Sequence, residues 1–284
     1  MPISTSRAIG GGVAALAVVA VARRARALAP SGAVAAWIAG ASTVAGGGWA
    51  AGGALVAFFA SSSILSRANR RRALTSVQKR GNERDAVQVV ANGGVATMAA
   101  LGMASAAAGD DARSVFYGSL ATASADTWAT ETGRWSARQP RRLLVGRVTP
   151  PGTSGGMTPV GTAGRIAGAA MIALVGALDP IAPVAERRRR FFATPAAGFA
   201  GALADSVLGA SVQEVRVCPI CGQETELPAH CGTVTVHARG WRGFDNDAVN
   251  ALATALGGLA GLAFGRFARA RCAAGVARND PGAC

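Results

Sequence analysis

The sequence predicts an all-α integral membrane protein, a polytopic bundle of about six or seven transmembrane helices with basic cytoplasmic loops. Two observations carry that prediction. Several long stretches contain no charged residue, and the basic residues lie between those stretches. A helix needs about 20 predominantly apolar residues to cross the hydrocarbon core. The first candidate is 8–22; its basic residues, Arg23, Arg24 and Arg26, follow the apolar run instead of preceding it, which reads as a retained helix and not a cleaved signal. Residues 27–66 are uncharged throughout, enough for two short spans that turn at Gly46, Gly47 and Gly48. Further candidates are 87–109, 160–178 with the single charge of Arg165, 191–204, which stops at Asp205, and 248–265. A soluble helix shows a charged face every turn or so, and these segments do not. The period-two alternation of a membrane barrel is missing as well. With no linker or composition shift dividing the chain, residues 1–284 read as one membrane domain carrying a polar, cysteine-containing loop at about 214–244.

The formal net charge of +14 points to anionic lipid headgroups and not to nucleic acid, because of where the charge sits. One basic cluster is Arg67, Arg70, Arg71, Arg72, Lys79, Arg80 and Arg84, and another is Arg134, Arg138, Arg141, Arg142 and Arg147. This is the positive-inside pattern expected for a multi-pass protein of the cell inner membrane. The loop at 109–112, with Asp110 and Asp111, reads as external. Counting spans then puts Arg187, Arg188, Arg189 and Arg190 outside, unless 160–178 is re-entrant or the span count is off by one.

Carboxylates within apolar segments are costly and mark functional sites. Asp126 and Glu131 stand out in SADTWATETG, although five residues of helix separate them by about 140° around the axis. The segment PPGTSGGMTPVGT follows. Its Gly152, Thr153, Ser154, Gly155 and Gly156 read as an anion-binding turn entering a helix N-terminus, or as a plain interhelical turn. Asp205 and Ser206 repeat the Asp-hydroxyl pairing of Asp126 and Thr127. Asp205 either completes a Mg²⁺ site, pairs with Arg165 or caps a helix. In FDNDAVN, Asp245 and Asn246 suit a helix cap, with Asn246, Asp247 and Asn250 as alternative ligands. Gln88 and Asn92 share one face of a membrane helix at i, i+4. Cys218, Cys221, His230 and Cys231 resemble a structural zinc knuckle, with free thiols or a redox pair as the other reading; the five cysteines, an odd number confined to the last third, give no disulfide framework.

Taken in order, SADTWATETG, PPGTSGGMTPVGT, ADSVLGASVQ and DNDAVN resemble the integral membrane family that includes transmembrane protein 19 and plant phytyl-phosphate kinase. The resemblance implies Mg²⁺-dependent transfer of the gamma-phosphoryl group of CTP or ATP to an isoprenyl monophosphate of phytyl or geranylgeranyl type. On that reading Asp126, Glu131 and Asp205 hold the metal, and Arg134 and Arg142 offset charge on the transferred group. Gly152 to Gly156, Ser206, Asn246 and Asn250 contact nucleotide or acceptor. The alternative is a transporter or flippase, with the same carboxylates relaying protons and the Gly-rich turn forming a discontinuous-helix substrate site.

Overall fold

The computed structural model describes residues 3–70, 83–144, 146–179 and 182–276. The basic positions Arg71, Arg72, Lys79 and Arg80 lie outside the described residues. Seven helices appear among those described: α1 (Thr5–Arg24), α2 (Pro30–Arg70), α3 (Ala86–Gly102), α4 (Gly109–Gly133), α5 (Pro159–Ala177), α6 (Val184–Ser211) and α7 (Asn246–Val276). Five of them, α1, α2, α5, α6 and α7, are long and apolar enough to cross a membrane. The protein is a multi-pass integral membrane protein.

The two arms expected of the uncharged 27–66 stretch are present. Helix α2 is interrupted at Gly48, whose φ of 81° and ψ of −176° fall where essentially only glycine is found. Gly46 lies against the Ala100–Leu101 backbone at the end of α3, and Trp49 packs on Gly10 near the start of α1. The other end of each arm returns to the opposite end of the bundle. There Ala29 N–H donates to Arg84 C=O at 2.9 Å, and Asn69 reaches Glu131 on the last turn of α4. Gly48→Ala is expected to lower stability by about 1–3 kcal/mol, read as a lower thermal midpoint in detergent.

Helix α4 is the hub, and no apolar run announces it. Its unbroken buried stretch from Phe116 to Ala125 is enclosed by neighbouring helices. Hidden from lipid, it tolerates hydroxyls, provided that each has a partner. Thr122 Oγ1 donates to Gly118 C=O at 2.9 Å, and Ser124 Oγ to Gly168 C=O on α5 at 2.8 Å. Small residues set the spacing around it. Gly118 faces Gly257 and Gly261 of α7, Gly198 and Gly201 of α6 face Ala121 and Thr122, and Gly168 of α5 faces Ser124. Such contacts bring backbones close where no aqueous hydrophobic effect drives association.

The direction of these contacts makes α6 parallel to α4, and α5 and α7 antiparallel to it. Helix α5 therefore runs the length of α4, from Gly164 beside Thr132 to Gly176 beside Tyr117, and is not re-entrant. Simple counting holds for Arg187 to Arg190, which begin α6 at the same end as Asp110 and Asp111. Acidic neighbours offset the basic charge there. Arg190 pairs with Asp179 at 3.3 Å and with Glu186, Arg113 lies 3.4 Å from Glu186, and Arg266 and Arg269 both engage Asp111.

At the other end two polar excursions cover the bundle. Between α4 and α5, β1 (Arg141–Arg142) pairs antiparallel with β2 (Gly156–Met157). Between α6 and α7 come β3 (Val215–Val217), β4 (Glu224–Thr225), β5 (Ala229–His230), β6 (Thr233–Val234) and β7 (Val236–Arg239). They form an antiparallel sheet in the order β4-β3-β7 and a separate β5-β6 hairpin.

Candidate functional site

The parallel packing of α4 and α6 creates the site. Gly201 lies against Thr122, so one helical turn further along each helix Asp205 meets Asp126. The two carboxyls lie side by side and both are half-buried. Their following hydroxyls behave alike: Thr127 Oγ1 donates to Ala123 C=O at 2.9 Å and Ser206 Oγ to Ala202 C=O at 3.3 Å. From α5, Arg165, only 3 % exposed, faces both carboxyls and donates to Ser206 Oγ at 2.6 Å. Asp205 Oδ2 and Arg165 Nε are buried without a hydrogen-bond partner. Buried polar atoms are normally satisfied, so an acceptor and a donor left open side by side suit a ligand.

A polar cavity of about 140 Å³ surrounds this centre. The Gly152–Gly156 turn lines it, with Gly152 at φ 88° and Gly155 at φ 75°. Gly155 sits so close on Ala210 that a side chain there has no room. Helix α5 starts at the same wall with Thr158 as its N-cap, accepting from Gly161 N–H at 3.0 Å, and Pro159 in the first turn. The turn and the positive end of a helix dipole thus face one space, which favours a phosphate. Arg134, Ser206 and Asn246 line it too. Asp245 supplies the α7 cap, accepting from Asp247 N–H at 3.0 Å and Ala248 N–H at 3.1 Å, which frees Asn246 to face the cavity.

A second cavity, of about 530 Å³ and mainly apolar, meets the first at Asp126, Thr130 and Asn246. It lies among α1, α2, α3 and α4, from Trp49 near the α2 bend to Arg84, and Phe58, Phe59 and Val89 are among its walls. Its volume is that of a small-molecule pocket. Gln88 and Asn92 face it, as their i, i+4 spacing predicts. Asn250 lines this apolar cavity and not the polar one, which removes it from the expected nucleotide contacts.

Two expected site residues do not line the polar cavity, although Glu131 lines the apolar one. Glu131 does not join Asp126 and Asp205, because its five-residue offset turns it toward α2. Its carboxylate accepts from Ser66 Oγ at 2.5 Å and Asn69 Nδ2 at 2.7 Å, and lies 3.8 Å from Arg134. It braces α4 against α2. Glu131→Gln is expected to cost about 1–3 kcal/mol, read as a lowered midpoint in thermal unfolding. Arg142 is also absent from the cavity wall. Its place on β1 turns it to Glu224 at 3.4 Å, joining the two excursions. The buried cation is Arg165, which sequence reasoning set aside as a possible partner of Asp205. Its signal was present: one charge inside an otherwise apolar span.

In the second excursion the thiol sulfurs of Cys218, Cys221 and Cys231 and a ring nitrogen of His230 all lie within 4.8 Å of one another. The amide of Cys221, with the His230 contact and the amide of Ile220, lowers the Cys218 thiol to about 6, whereas the neighbouring Cys221 and Cys218 sulfurs push Cys231 up to about 11. These three cysteines are free, whereas Cys272 on α7 is disulfide-bonded.

A multi-helix membrane fold with paired carboxylates, a buried arginine and a Gly-rich turn at one end defines a class of integral membrane protein with a polar site beside an apolar cavity. This chain belongs to the family described as integral membrane protein DUF92, whose model matches residues 13–258. It is 27% identical over 219 residues to Protein PGR of Arabidopsis thaliana, covering 69% of this chain and 75% of that protein. It is also 28% identical over 147 residues to an uncharacterized membrane protein of Methanocaldococcus jannaschii, covering 52% of this chain and 49% of the relative. No solved structure matches.

Proposed function

We propose that this protein is a membrane-embedded prenyl-phosphate kinase of the inner membrane, transferring the gamma-phosphoryl group of CTP or ATP to an isoprenyl monophosphate at the cytoplasmic face. One observation carries the reading: the polar cavity around Asp126, Asp205 and Arg165 adjoins a larger apolar cavity, with Asp126, Thr130 and Asn246 lining both. A lipid monophosphate has that shape, an anionic head on an apolar tail. The basic residues Arg23, Arg24, Arg134 and Arg138 at this end favour the cytoplasmic side.

The donor set fits Mg²⁺, since it offers two carboxylates and an Asn amide oxygen and leaves Asp205 Oδ2 open. Bound there, Mg²⁺ would neutralise charge on the phosphoryl oxygens. The chain's own residues do the rest by positioning. The Gly-rich turn and the α5 N-terminus hold phosphate, Arg165 offsets negative charge at the centre, and the apolar walls fix the acceptor tail. The acceptor phosphate oxygen forms the new bond to the gamma phosphorus as its bond to the bridging oxygen breaks, releasing the nucleoside diphosphate. A phosphate monoester is already anionic at neutral pH, so no general base is needed.

Purified protein incubated with labelled CTP or ATP, Mg²⁺ and geranylgeranyl or phytyl monophosphate is expected to form the prenyl diphosphate. Absence of diphosphate with both nucleotides and both acceptors, together with no nucleotide-dependent thermal shift, would remove the kinase reading and leave a flippase to be tested by lipid translocation in vesicles.

A further inference from the structure

We propose that Cys218, Cys221, His230 and Cys231 hold one structural Zn²⁺, and that this ion fixes the excursion that braces the Gly-rich turn of the polar cavity. The first support is geometric. His230 Nδ1 lies 3.5 Å from Cys221 Sγ and 3.3 Å from Cys231 Sγ. A tetrahedral ion with Zn–S near 2.3 Å and Zn–N near 2.0 Å has S···N edges of about 3.6 Å and S···S edges of about 3.8 Å. The two His230 distances match those edges, and all four ligand atoms lie within 4.8 Å of one another.

The backbone is shaped for the same end. Gly222, at φ 70°, donates its N–H to Cys218 C=O at 2.9 Å, and Cys218 N–H donates to Gln223 C=O at 3.0 Å, closing a knuckle around the Cys-x-x-Cys pair. On the other side, His230 pairs with Thr233 across the β5-β6 hairpin, whose two turn residues, Cys231 and Gly232, have φ of 51° and 74°. That two-residue turn requires positive φ at both positions and ordinarily takes Asn-Gly. Cysteine accepts the strained position here, and the turn brings its sulfur onto the same side as the His230 ring, so two consecutive residues become neighbouring ligands. Three thiols and one imidazole also cannot close into disulfides without leaving a thiol over.

The excursion needs such a staple. Its strands are two to four residues long, and the few side chains buried within it, Val215, Cys218, Thr225 and Thr235, make a small core. It also reaches the site. Glu226 accepts from Gln213 Nε2 at 2.7 Å and from Ser154 Oγ at 3.4 Å, and Arg239 Nη1 donates to the Gly209 and Ala210 carbonyls at 3.3 Å. Ser154 belongs to the turn that lines the polar cavity. Order in the knuckle is thereby passed to that turn.

The test uses the full-length protein in detergent and does not depend on the kinase reading. Elemental analysis of reduced, purified protein is expected to give about one zinc per chain. The Cys218→Ser, Cys221→Ser double variant should hold none, and Asp126→Asn should retain it. Cobalt added to chelator-treated wild type should give thiolate-to-metal absorption, which keeps the test decisive if the double variant does not fold. Hydrogen exchange after chelation should speed up at 218–234 and also at 152–156. Protein that neither carries zinc nor gives the cobalt spectrum would overturn the site. Exchange that rises at 218–234 but not at 152–156 would overturn the link to the cavity.

Discussion

Asp126→Asn and Asp205→Asn should each reduce prenyl diphosphate formation by on the order of 10²–10³-fold or more, with the fold intact. Both substitutions keep size and hydrogen-bonding capacity and remove one negative charge. In the wild-type protein the two carboxyls meet at the floor of the polar cavity, where burial makes a second negative charge expensive unless a cation shares it. Removing either charge weakens cation binding. The measurement is turnover with labelled nucleotide across a Mg²⁺ titration. Activity near wild type in either variant would show that the pair is structural and that catalysis lies elsewhere. Stability should move the other way, because a lone Asp facing Arg165 is better compensated than two.

Arg165→Met should be the most destabilising single substitution at this end of the bundle, at about 3–5 kcal/mol, because it leaves the carboxyl pair buried beside no fixed cation. Thermal unfolding in detergent reads the loss as a lowered midpoint. The combination Arg165→Met with Asp205→Asn should recover part of that stability, since it removes a charge of each sign, and should remain inactive. That separation distinguishes a cation needed for folding from one needed only for turnover. Additive losses in the double variant would show that Arg165 and Asp205 do not interact.

The long uncharged runs marked α1, both arms of α2, α3, α5, α6 and α7 within a few residues, apart from the ends of α3, α6 and α7, because side chains facing lipid must be apolar wherever they occur. The same logic hid α4. Enclosed by other helices, it needs satisfied hydrogen bonds and small surfaces more than apolarity, so its Ser, Thr and Asp residues resemble a loop to any hydropathy measure. Glycine clustering did locate the α2 bend, since the dihedral angles at Gly48 leave little alternative.

At the site, sequence gave the types of group and the third dimension gave their partners. Asp126, Asp205 and the Gly152–Gly156 turn were legible because a buried carboxylate or a Gly-rich helix entry is conspicuous by itself. Glu131 and Arg142 were equally conspicuous, yet one braces α2 and the other ties two surface excursions together. The amino-acid sequence by itself determined a membrane bundle with acidic and Gly-rich elements near a basic face. Only the tertiary structure decided that Asp126 meets Asp205 and Arg165, and that their polar chamber adjoins an apolar one. The reason is that helix phase and the close Gly201–Thr122 approach set which side chains face each other across helices, and that relation is written in no single segment.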